Sequence, residues 1–351
     1  MKTSVSLRAP RLVAILALAF ATLSVSNLSA QTTVKTIPVG VVNLTIGAAP
    51  SPSVPNFVAL SLPLVDGIVF KGTISAVGAS TITVSNTVAQ TFNATNPYLL
   101  RITSGSHAGR SFVILSNVGN VLTVDTEGTP LNALSPALNL GASGDSFQIA
   151  VADTIAGVFG TQTLGSANPN NADQVWLWAS GAGTFVKFFY NSGTSQWEDL
   201  DNEPAGSTVI RPDSGIFFVR RGLTPLTLSL TGEVPTTDIR VRVKESGFSF
   251  ASGALPVDTT LLGTGLHNQA AWVKGATAAA SDQVWVWASG SGSFVRFYYS
   301  TAANGWLDLD DESADATVIA SGTPVFIKKA AVSGSNLVTT VFPLPASYNI
   351  N

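Results

Sequence analysis

One stretch of the chain occurs twice, and any fold must accommodate both copies. Residues Asp173 to Ile210 align without a gap to Asp282 to Ile319 at a constant shift of 109, with 22 of the 38 positions identical. Identity at that level implies two copies of one structural unit. A shift of 109 does not supply the roughly 50-residue repeats of a kelch-type propeller.

Within the first copy, Val175 to Ala179 and Phe185 to Tyr190 read as strands joined by the Gly-rich turn Ser180 to Gly183. Strand alternation places Val175, Leu177, Val186, Phe188 and Tyr190 on one face and Trp176, Trp178, Phe185, Lys187 and Phe189 on the other. In the second copy the Trp face becomes Trp285, Trp287, Phe294, Arg296 and Tyr298. Such a face is too apolar to lie bare on a monomer. Loops, the other module, another protein or a ligand must cover it, and the recurring cation predicts partial cover with Lys187 and Arg296 stacked at the rim. A third strand follows in each copy, Ile216 to Arg221 and Val325 to Lys329.

Upstream, a weaker match precedes both copies. Strand-like Ile37 to Ile46, Phe57 to Leu64 and a Leu-Pro-Leu-Val-Asp66 block resemble Ile239 to Val243, Phe248 to Phe250 and Leu255-Pro256-Val257-Asp258. Asp258 precedes Asp282 by 24 residues, whereas Asp66 precedes Asp173 by 107. The spacing is restored by Asp153-Thr154, which resembles Asp258-Thr259, so residues 67 to 150 read as an insert. Six short β-branched segments separated by Gly, Asn and Ser turns make that insert a small barrel or sandwich. An insert must leave and re-enter its host at neighbouring points, so its ends should lie together. No helical period of useful length occurs after the N-terminal segment.

The expected fold class is all-β, with two homologous β-sandwich or barrel-like modules and a small β-barrel-like domain inserted in the first. The expected boundaries are residues 31–66 with 151–231 for the first module, 67–150 for the insert and 232–351 for the second. Residues 1 to 30 read as a secretory signal: Lys2, Arg8 and Arg11 precede an apolar run from Leu12 to Phe20, and Leu28-Ser29-Ala30 offers a cleavage point. Its removal leaves 15 basic against 21 acidic residues, a net charge of −6, which disfavours nucleic acid as a partner. No membrane span is expected after that removal. The chain has no Cys, so stability must come from the core rather than disulfides.

Candidate chemistry is sparse. The two histidines, His107 and His267, have no metal-ligand neighbours at useful spacing, and His107 in Ser104-Gly105-Ser106-His107-Ala108-Gly109 reads as a solvated turn. Gly144-Asp145-Ser146-Phe147 looks like an esterase nucleophile block but has no recognisable His partner and reads as a turn. Asp199, Asp201 and Glu203, with Asp308, Asp310 and Glu312 in the second copy, form acidic turns that could take Ca²⁺ or stand solvated; calcium is the one cofactor in view. A carboxylate pair of glycosidase type is conceivable, although duplication argues against it. Trp176, Trp178, Lys187, Trp285, Trp287 and Arg296 could stack against sugar rings, or the indoles could serve internal packing, each burying on the order of 200 Å².

The block Tyr98 to Arg110 (YLLRITSGSHAGR), Gly144 to Phe147, the Asp-Gln-Val blocks with their aromatic strands, and Gly232 to Thr237 (GEVPTT) resemble a paralogous family of secreted β-rich proteins of Verrucomicrobia and related bacteria. The resemblance implies export and architecture, and brings no activity or functional residue. Three readings stay open: a non-enzymatic structural or interaction protein of the cell envelope or extracellular space, a carbohydrate-binding protein using the Trp faces, or a hydrolase with an unlocated site. Location would be secreted, periplasmic or outer cell surface, with a cell-surface protein or glycan as partner.

Overall fold

The computed structural model describes residues 38–179, 182–253, 256–330, 337–345 and 348; the segment read as a secretory signal lies outside them. From Pro38 onward the chain clusters as one unit. Strand β1 (Val39–Ile46) is followed by β2 (Asn56–Leu60). Six strands come next: β3 (Ile68–Val77), β4 (Thr81–Val84), β5 (Tyr98–Ile102), β6 (Ser111–Val118), β7 (Val121–Val124) and β8 (Ser146–Val151). They close into a barrel in the order β3-β4-β7-β6-β5-β8. Alternation fills it, since β4 buries Ile82 and Val84 while β7 buries Leu122 and Val124. Barrel entry and exit are neighbours: Ile68 pairs with Ala150, and Val151 N donates to Gly67 O at 3.3 Å.

After the barrel, a five-residue helix α1 (Ile155–Phe159) is capped by Thr154, whose hydroxyl accepts from Gly157 N at 3.1 Å, and it buries Ile155 and Phe159. Five residues are too few to show a helical period in the sequence. Strands β9 (Gln174–Ala179), β10 (Thr184–Asn191), β11 (Gln196–Asp199), β12 (Ile216–Arg220) and β13 (Leu226–Glu233) follow. The first five-stranded sheet runs β11-β10-β9-β12-β2, and β13 pairs with β1 through Glu233, two residues past the expected boundary at 231.

The remaining strands are β14 (Ile239–Lys244), β15 (Gly247–Ala251), β16 (Thr259–Thr260), β17 (Gln283–Ala288), β18 (Ser293–Ser300), β19 (Gly305–Leu307), β20 (Val318–Ile319), β21 (Val325–Lys329) and β22 (Leu337–Phe342). The second sheet, β15-β21-β17-β18-β19, repeats the first, while β14 pairs with β22 as β1 does with β13. Registers repeat too: Val175 faces Phe188 as Val284 faces Phe297, and Tyr190 faces Trp197 as Tyr299 faces Trp306. Even the left-handed turn residues recur at the same shift, Ser195 with Asn304 and Asn202 with Asp311. One match moves by a residue. Thr154 faces Val209 and Thr260 faces Val318, so Thr154 corresponds to Thr260 rather than Thr259.

One face of each sheet covers its own core. Val175, Phe188 and Phe218 lie in the first, with Val284, Phe297 and Ile327 in the second. No helix among the described residues is long and apolar enough to cross a membrane.

Candidate functional site

The opposite faces of the two sheets pack on each other. Phe217, Phe250 and Phe326 form a buried centre, surrounded by partly buried Trp176, Trp178, Phe185, Trp285, Trp287 and Phe294. Phe217 stacks on Phe250 at 5.0 Å, Trp178 meets Phe326 edge-on at 5.2 Å, and Trp287 meets Phe217 in the same way at 5.3 Å. Edge-to-face pairs set the positive ring edge on a negative face, adding to the gain from burial. The Trp287 indole N–H also donates to Phe57 O at 2.8 Å.

The repeated Asp-Gln-Val-Trp block holds this layer in place. Gln174 accepts from the Trp176 N–H and donates to Pro169 O, both at 2.7 Å; Gln283 does the same between Trp285 and Ala278 O, again at 2.7 Å. The carboxylates of Asp173 and Asp282 are fully buried, paired with Arg220 and Lys329, and accept backbone N–H groups of Leu164 and Arg221, and of Val273 and Ala330. At the rim, Lys187 Nζ lies 4.2 Å from the Trp176 ring centre and the Arg296 guanidinium 4.3 Å from that of Trp285. Each outer indole face therefore already has a cation on it.

The acidic turns serve their own backbone. Asp199 Oδ1 accepts from the N–H groups of Asp201 and Glu203 at 2.9 and 3.0 Å, and Asp308 Oδ1 accepts from those of Asp310 and Glu312 at the same distances. Among the described residues no three acidic or His side chains form a group that could hold a metal ion. Tyr298 donates to Asp311, which pushes its phenol up to about 12.

His107 corrects the expectation of a solvated turn. It is buried, and its Nε2 lies 2.6 Å from Pro136 O, because the turn folds inward against the barrel. The Gly144 to Phe147 block is a turn into β8: the Asp145 carboxylate accepts from the Asn139 N–H and side-chain amide at 3.0 and 2.9 Å. A Cβ on Gly144 would meet Ile74 O at 2.0 Å.

Charged groups that the sequence does not single out join the barrel to both modules. Glu127 pairs with Arg242 of β14 at 2.9 Å and with Arg211 of the first module at 3.4 Å. Burial raises the Glu127 carboxyl, and the two guanidinium groups oppose that rise. Arg101 donates to Thr237 and Asp238, and Arg240 to Ala108 O at 2.7 Å. Gly109 must be glycine here, since at φ +91° a Cβ would stand 1.8 Å from Asp238 O.

Beside the barrel entry, a cavity of about 560 Å³ separates the barrel from the first module. Its wall includes Asp66, Tyr98, Asp153, Thr154, Ser207 and Thr231. Burial and then the charge of Asp66 push the Asp153 carboxyl up to about 7, and burial also raises Asp66. Neither carboxylate draws a hydrogen bond from the described residues. Asp66 and Asp153 mark the ends of the insert in the sequence, and that position, where one chain segment leaves and another returns, is the signal that could have found the site. No family model, no curated protein and no solved structure matches the chain.

Proposed function

We propose that the protein is an exported, non-enzymatic structural or interaction protein of the cell envelope or extracellular space, in which a duplicated module and an inserted barrel make one stiff body. The observation that carries this reading is the shared aromatic layer: the Trp faces repeated in the sequence cover each other. Their N–H groups and outer ring faces are largely engaged within the chain, as a cohesive role requires. The Arg101, Arg240 and Glu127 contacts support the same reading for the barrel. Export rests on the charged and apolar pattern of residues 1 to 30 and on the family resemblance.

Carbohydrate binding is the second reading, favoured by the partial exposure of Trp176 and Trp285 beneath Lys187 and Arg296. A thermal melt of Trp176→Ala alongside retention on insoluble polysaccharide separates the two. The structural reading expects a lowered melting temperature and unchanged retention; an unchanged melting temperature with lost retention would reverse the order. Cell fractionation with antibody against the protein tests export, and a cytoplasmic signal for the processed chain would refute it.

A further inference from the structure

We propose that the cavity between the barrel and the first module binds a small organic cation, a protonated primary amine carried on a partly apolar body. The space of about 560 Å³ lies within the range of small-molecule sites and far exceeds one dehydrated metal ion. Among the described residues no three acidic or His side chains gather there to hold a metal ion. The lining contains no Lys, Arg or His, so an anion has no partner there. Asp66 and Asp153 supply negative charge, Thr154 and Ser207 supply hydroxyls, and Leu62 with Tyr98 can cover an apolar stem.

Asp66 and Asp153 are part-buried and draw no hydrogen bond from the described residues, whereas Asp258 of the second module is exposed and accepts from Ser321 N at 2.8 Å. Part-buried carboxylates that face a cavity without a protein donor are common at binding sites. An ammonium between them removes their repulsion and supplies the missing donors. A neutral polyol would do only the second.

The chemistry could reach the site as an amino sugar or as an alkylamine such as a lysine side chain. Calorimetric titration of the purified protein with glucosamine, Nα-acetyl-lysine amide and N-acetylglucosamine at pH 6 and pH 8 distinguishes these sources. At least one ammonium probe should bind; Nα-acetyl-lysine amide, charged at both pH values, should bind roughly tenfold more tightly at pH 8 because Asp153 must lose its proton first, and glucosamine, partly deprotonated at pH 8, should gain less. Asp153→Asn should weaken that binding and abolish its pH dependence. The variant loses a repulsion, so its melting temperature at pH 8 should equal or exceed that of the wild type, which checks its fold. The proposal is overturned if neither ammonium probe binds, if N-acetylglucosamine binds as tightly as glucosamine, or if Asp153→Asn changes neither affinity nor pH dependence. The site is separate from the aromatic layer, so Trp176→Ala and Asp153→Asn test the two readings independently.

Discussion

In the first module the buried carboxylate of Asp173 meets the guanidinium of Arg220; in the second, Asp282 meets the ammonium of Lys329. The Trp197 N–H donates to Gly160 O at 2.9 Å, whereas the corresponding N–H of Trp306 is buried without an acceptor among the described residues. The imbalance reverses in the aromatic layer, where Trp287 is bonded to Phe57 O and the N–H of Trp178 has no partner among the described residues. His267, in the 3₁₀ turn Leu266–Asn268, stacks on Tyr299 at 4.5 Å in the second module, where a 3₁₀ turn, Leu262–Thr264, stands in place of α1. Identical strand patterns reproduce the pleat and register. Outside that shared register, the segments around the strands decide which polar atoms find partners.

The largest test of this comparison removes the buried acids. Asp173→Ala should cost about 3 to 5 kcal/mol, because it strands a buried guanidinium that cannot shed its proton. Asp282→Ala should cost less, since an ammonium on a flexible stem can move toward water more readily than a guanidinium fork held on Thr224 O. Denaturant unfolding measures both, and equal costs would break the contrast.

In the aromatic layer, Trp287→Ala should lower stability by about 3 kcal/mol and Trp178→Ala by about 1 kcal/mol less, the difference being the bond to Phe57 O. Melts of the two variants read this directly. A larger loss at Trp178 would mean that its N–H finds a partner in solution.

The cleft beside the first module should give stability its own pH profile. A carboxyl raised to about 7 in the folded state has its ordinary value near 4 when unfolded, so the folded state binds the extra proton between those limits. The contribution from Asp153 should be most favourable below about pH 4 and lost as pH rises through about 7. Melting temperatures across that window should show the decline in the wild type and a smaller decline in Asp153→Asn.

The smallest effect should be the most symmetrical. Asp199→Ala and Asp308→Ala each remove an acceptor for two exposed backbone N–H groups and should each cost about 1 kcal/mol. Chemical denaturation of the pair tests their equivalence, and a calcium-dependent difference in either melt would support the metal reading of these turns.

Strand positions were legible because their side chains alternate. Ile68 to Val77 and Ser146 to Val151 could be read as the strands they form, and the split between Val175 and Trp176 follows from the pleat alone. The barrel seam was less legible. Glu127 sits in a turn with φ 49°, and nothing near it in sequence announces Arg211 or Arg242 as partners. His107 misled for a similar reason: its glycine-rich neighbours describe a turn without saying which way the turn faces.

By itself the sequence determined the repeat, the all-β character, the extent of most strands and the two faces of each central strand. These are properties of local periodicity and of one segment compared with another. Tertiary structure alone decided that the two Trp faces would cover each other, and that Gln174 and Gln283 would take the indole N–H groups. It also decided that Asp66 and Asp153, far apart in the chain, would share one cleft. That last outcome follows from closure: β3 and β8 must pair to complete the barrel, so the residues just outside them are carried to the same place.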